Sequence, residues 1–104
     1  MQPHNAILKG ELLDRVIVRY MVKSKVGYCS TAYKTERSII IKLYTSATVW
    51  ELKREVSKML GLSPKYMKLK LDDGSILREN MHGRTLQELG MRNGDILTAT
   101  KLNI

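Results

Sequence analysis

A chain of 104 residues that is 43% hydrophobic and 27% charged can bury one core, is too short for two, and is too apolar to stay disordered. No run approaches the roughly 20 apolar residues that cross a bilayer, no basic-then-apolar leader argues for secretion, and a single cysteine, Cys29, excludes an internal disulfide and fits a reducing compartment. Eighteen Lys and Arg against ten Asp and Glu give a net charge of +8, which favours acidic partners without choosing between protein and nucleic acid.

Met1 to Leu13 carries Ile7, Leu8, Leu12 and Leu13 at irregular spacing, with Pro3 before them and Gly10 among them, and is expected to be an N-terminal extension (1–13) to a single domain over 14–104. From Asp14 to Lys23, Val16, Val18, Tyr20 and Val22 alternate with Ile17, Arg19 and Met21, the period-two signature of a strand with one apolar face. Lys23 to Arg37 is polar and contains Gly27. It reads as a long loop (23–37) joining the first two strands, with Tyr28 and Tyr33 as loop residues. Ser38 to Tyr44 is the second strand, with Ile39, Ile41 and Leu43 on one face and Ile40 and Lys42 on the other. Thr48 followed by Glu51 forms a capping box at a helix start. The stripe Val49, Leu52, Val56 and Met59 then runs for about twelve residues until Gly61 suits the left-handed position that ends the helix.

Pro64 marks the turn out of the helix. Met67, Leu69 and Leu71 alternate with Lys68 and Lys70 in a half-buried third strand. Asp72-Asp73-Gly74 is a turn, and Ser75 to Leu77 is read as a short returning strand. Leu86, Leu89 and Met91 are expected to close the open end of the core. Asn93-Gly94-Asp95 turns the chain into a last strand, Ile96 to Leu102. These patterns alone give an α+β domain with one helix on a sheet.

The run GRTLQELGMRNGDIL, Gly83 to Leu97, resembles the last third of ubiquitin, and SIIIKLYTSATVWELKREVSKMLGLSPKYMKLKLDDG, Ser38 to Gly74, resembles the strand, helix and strand before it. The resemblance implies the β-grasp fold, a mixed four- to five-stranded sheet with one main helix across one face. Conjugated members of that family end in a flexible Gly-Gly tail. This chain ends Thr100-Lys101-Leu102-Asn103-Ile104, so a non-conjugated module within a larger protein is expected. The lengthened first hairpin and basic sheet are similar to the ubiquitin-like domains embedded in large ubiquitin-specific proteases, the deubiquitinases. That implies a non-catalytic role in docking partners or regulating a protease domain, in the cytoplasm or nucleus.

By the same resemblance, the apolar patch that ubiquitin's receptors read would fall on Lys70, Thr98 and Thr100. A lysine and two threonines there argue against ubiquitin mimicry, since a buried methylene contributes roughly 0.8 kcal/mol. The same sheet face gathers Arg19, Lys68 and Lys70, with Lys42 toward its edge and Ile17, Met21 and Ile40 as apolar neighbours. It suits either an acidic folded partner or plain solvation of a strand face. Trp50 lies off the helical stripe. It is read either as packing on Leu8, Leu12 or Leu13, or as an anchor for a partner.

Three functions follow from these residues. A monomeric protein-interaction module uses the sheet face and Trp50. The alternative is a basic nucleic-acid-binding domain, weakened by the lack of aromatics interleaved with the cations. An enzyme is least favoured, because no nucleophile with a base, paired carboxylates, phosphate loop or metal spacing is present. His4 and His82 stand alone, and neither a cofactor nor a metal is expected.

Overall fold

The computed structural model describes residues 10–26 and 31–102, with side chains described for 10–20 and 36–102. Four strands, β1 (Leu12–Val26), β2 (Thr31–Tyr44), β3 (Met67–Leu71) and β4 (Ile96–Lys101), form one sheet, and α1 (Val49–Leu60) crosses it. Single 3-10 turns lie at Pro64–Tyr66 and Glu79–Met81. The sheet order is β2-β1-β4-β3, with β1 antiparallel to β2, parallel to β4, and β3 antiparallel to β4. It is the α+β arrangement expected, with four strands. Ser75 to Leu77 adds a single bridge, Lys70 to Ile76, and a Leu77 N–H donating to the Leu69 carbonyl at 2.9 Å, and no fifth strand.

Alternation along the strands builds the core. Val16, Val18 and Tyr20 of β1, Ile41 of β2, Met67 and Leu69 of β3, and Leu97 and Ala99 of β4 are buried beneath Val49, Leu52 and Val56 of α1. Each large aliphatic so buried contributes about 1.5–3 kcal/mol. Leu13 is buried too, although it sits three residues from Val16. A one-residue bulge between them resets the pleat, since Leu13 pairs Leu43 while Val16 pairs Ile41. The bulge frees backbone groups at Arg15, and the Asn93-Gly94 turn takes them: the Arg15 N–H donates to Asn93 Oδ1 and the Gly94 N–H to the Arg15 carbonyl.

The helix ends form as read. The Glu51 N–H donates to Thr48 Oγ1 at 3.2 Å and the Thr48 N–H to Glu51 Oε1 at 3.4 Å. Gly61 takes a left-handed φ of 70°, and both its N–H and that of Leu62 donate to the Ser57 carbonyl. A second, unforeseen capping box joins Thr85 and Glu88, so that the connection before β4 is a folded turn that buries Leu86 and Met91 and half-buries Leu89.

Three expectations need correction. Most of the stretch 23–37 is strand rather than loop: β1 and β2 stay paired through Lys23–Lys34 and Lys25–Ala32 to Val26–Thr31, and 27–30 lie outside the described residues. Ladder hydrogen bonds are made by the backbone, so a polar sequence extends a hairpin once the register is set nearer the core. Leu12 and Leu13 belong to β1 rather than to an extension, and the remainder of that segment up to Lys9, together with Tyr28 and Cys29, lies outside the described residues. Met59 is 52% exposed. The helix rolls away from it and buries Lys53 and Ser57 instead.

Candidate functional site

The pairing register fixes the face of the sheet opposite α1. Thr98 of β4 is flanked by Arg19 of β1 and Lys70 of β3, and Thr100 by Met21 and Lys68. Facing residues on adjacent strands lie about 4.8 Å apart along the hydrogen-bonding direction. Arg19, Lys68, Lys70, Thr98 and Thr100 therefore share one face, as expected, and Met21 holds the register position between Glu36 and Thr100. Lys42 is exposed on β2, the opposite edge strand from β3, so two strands separate it from Lys68 and Lys70. Ile40 is 55% exposed.

Arg19 does not stand on this face as an isolated cation. Its Nε bonds Glu36 Oε1, two register positions along the hairpin, and the pair raises the Arg19 pKa and holds the Glu36 carboxyl below its ordinary range. Both partners are solvated, and such surface pairs contribute little to stability. The uncompensated positive charge of this face thus sits on Lys68 and Lys70.

A second site lies on the helix side. The first turn of α1 leaves backbone N–H groups without helical partners, and they hold the connection that precedes β4. Val49 N–H donates to the Arg84 carbonyl at 2.8 Å and Trp50 N–H to the His82 carbonyl at 3.2 Å. This docking sets the His82 ring against Trp50, centroids 4.9 Å apart and tilted by 37°. One turn along α1, Lys53 Nζ lies 2.8 Å from His82 Nε2. With Lys53 donating, neutral His82 carries its proton on Nδ1. Lys53 is 5% exposed. Burial pushes its pKa down, and nearby Glu79 partly opposes that shift. His82 is lowered by burial and by the Lys53 ammonium, again against Glu79.

Trp50 is 41% exposed, as its place off the stripe predicts. Its described ring contact is His82; of the leucines considered for it, Leu13 lies in the core and Leu8 is outside the described residues. Trp50, Lys53 and His82 line a groove of about 1040 Å³ together with the buried Met67 and Leu77 and with Lys65, Arg78 and Leu102. Sequence reasoning missed Lys53 and His82. The one available signal was the i, i+3 spacing that puts Trp50 and Lys53 on one flank of the helix.

Among the described residues no group of His, Cys, Asp and Glu is placed to hold a metal ion, and no helix is long and apolar enough to cross a membrane.

A mixed sheet of order β2-β1-β4-β3 with one helix across it is the ubiquitin-like β-grasp fold. No protein-family model and no curated protein matches the chain in sequence. Among solved structures it is similar to ubiquitin from Caldiarchaeum subterraneum, with a TM-score of 0.61 and 18% identity over 88% of this chain and 95% of that one. It is also similar to a ubiquitin-like domain of an Arabidopsis thaliana protein, with a TM-score of 0.64 and 17% identity over 100% of this chain and 92% of that one. The ubiquitin-like domain of yeast Ddi1 gives 0.61 and 18% over 91% and 93%. Identities this low establish the fold and leave function to the residues.

Proposed function

We propose that this chain is a non-catalytic ubiquitin-like interaction module of a larger protein, which docks an acidic surface of a folded partner through the open face of its sheet. The observation that carries the reading is the row Lys70–Thr98–Arg19 with Lys68 beside it, a polar and basic strip on a fold with an exposed sheet face. The module works as a monomer in the ubiquitin pathway, in the cytoplasm or nucleus, with a deubiquitinase as its parent; the lengthened hairpin and basic sheet support that parent. The nucleic-acid reading has the +8 charge in its favour. Against it, the register partners of Arg19, Lys68 and Lys70 are Ser38, Thr98, Thr100 and Ile76, which offer no ring for a base to stack on.

The test is affinity capture from cell extract at moderate salt, comparing the wild-type chain with a Lys68→Glu/Lys70→Glu variant of equal thermal stability. Specific proteins retained by wild type and lost both by this variant and by Lys70→Glu alone support the sheet-face module. Equal capture by wild type and the double variant removes the sheet face, and capture of nucleic acid with a steep salt dependence replaces this reading by the charge-driven one.

A further inference from the structure

We infer that the groove between the first turns of α1 and the Pro64–Met67 and Leu77–Gly83 segments is a second docking site, which takes an acidic linear segment of a partner protein anchored by one large apolar side chain. The site lies on the helix side of the molecule and goes beyond the sheet-face reading.

Shape and charge argue together. The groove of about 1040 Å³ is several-fold larger than the cleft of about 290 Å³ beside Leu12, Lys42 and Ala47. Buried Met67 and Leu77 form its floor, and half-exposed Trp50 and Leu102 rise from it. Trp50 rests on His82, which Lys53 holds in turn, and the Leu102 N–H donates to the Tyr66 carbonyl at 2.8 Å. A tryptophan pre-fixed in a cleft loses little entropy on binding, which is why such residues serve as anchors.

Four cations line this groove, Lys53, Lys65, Lys68 and Arg78, against one carboxylate, Glu79. Among the described residues no carboxylate lies within 4.0 Å of any of the four. Lys53 matters most, because it is a buried ammonium whose described partner is a neutral imidazole. An incoming carboxylate supplies the direct counter-charge that Glu79, more than 4.0 Å away, gives this ammonium only in part. A second copy of this chain would bring +8 toward a positive groove and is disfavoured, whereas Asp or Glu flanking an aliphatic or aromatic residue satisfies both the rim and the floor.

The test pans a random dodecapeptide display library on the intact chain and titrates the enriched peptides, chosen free of tryptophan, while following the emission of Trp50, the sole tryptophan. Expected are sequences joining Asp or Glu to a large apolar residue, which shift Trp50 emission on binding. Their affinity falls at least about tenfold in Lys65→Glu/Arg78→Glu and is kept in Lys70→Glu. Both changes are at exposed positions, and thermal melts check that each variant folds. The inference is overturned by three results. Enriched peptides lack acidic residues; or acidic peptides bind without moving Trp50 emission and are lost in Lys70→Glu, which keeps the sheet-face module and removes the groove; or a short oligodeoxynucleotide moves the emission and acidic peptides do not.

Discussion

The open face of the sheet and the groove beside α1 both carry lysines, yet they hold them by different physics. On the open face Lys70 stands in water at the edge of a strand pair, and Arg19 is already matched by Glu36. In the groove Lys53 is withdrawn from water and leans on His82. Net charge treats these cations alike. Their differing desolvation makes the open face a surface that tunes encounter rates and salt dependence, and the groove a place where one added carboxylate changes a local energy.

The harshest way to break the comparison is to remove what both surfaces share. Leu69 is fully buried between Lys68 and Lys70 and packs in the core beneath α1. Leu69→Ala is expected to cost about 2–5 kcal/mol, and chemical denaturation should show both surfaces lost in one transition. Survival of either surface alone would mean that the two belong to separately folding parts. Next in size is the α1 cap. Thr48→Ala removes one acceptor from the first helical turn and should cost about 1 kcal/mol, lowering protection of the Glu51 amide in hydrogen exchange. It should also loosen Trp50 against His82 while leaving the register of β3 and β4 unchanged.

How far these features were legible follows from the same distinction. The cap at Thr48, the left-handed Gly61 and the alternation of Met67, Leu69 and Leu71 are local patterns, a few residues long, and the structure keeps all of them. The placing of Lys68, Lys70, Thr98 and Thr100 on one face came from the family resemblance, and the register agrees. The paired stretch of β1 beyond Lys23 and of β2 before Ser38 escaped because its largely polar residues show no sustained apolar alternation, the primary single-sequence sign of a strand. The Trp50–Lys53–His82 cluster escaped because its members are brought together across 29 residues by hydrogen bonds from α1 to the backbone of His82 and Arg84. Nothing in the neighbourhood of His82 announces that.

Lys53 offers a way to sharpen the contrast. Lys53→Met keeps the apolar stem and removes the buried charge. It is expected to leave stability unchanged or raise it by about 1 kcal/mol, measured by thermal melting, while abolishing the response of Trp50 to acidic peptides. A comparable lysine-to-methionine change at Lys70 should shift stability by less than about 0.5 kcal/mol and leave that response intact.

The pH dependence of stability separates the two surfaces with the least perturbation. The folded pKa of His82 lies below its unfolded value of 6.5, so between those two values the unfolded chain binds more protons than the folded one. Stability is full above pH 6.5 and falls as the pH drops from there toward the folded pKa, because burial and then the Lys53 ammonium resist a charge on His82. His82→Asn should flatten that segment of the stability profile. The carboxyl of Glu36 works in a lower window: its folded pKa is held below 4.5 by Arg19, so its small contribution is present above pH 4.5 and fades as the pH falls through the folded pKa. Arg19→Gln should return Glu36 to the ordinary carboxylate range in an NMR titration while leaving the His82 titration where it was. If the His82 titration moved with Arg19→Gln, the two surfaces would be electrostatically coupled through the sheet. If it stayed, the basic face and the groove could be tuned one without the other, as two independent docking surfaces require.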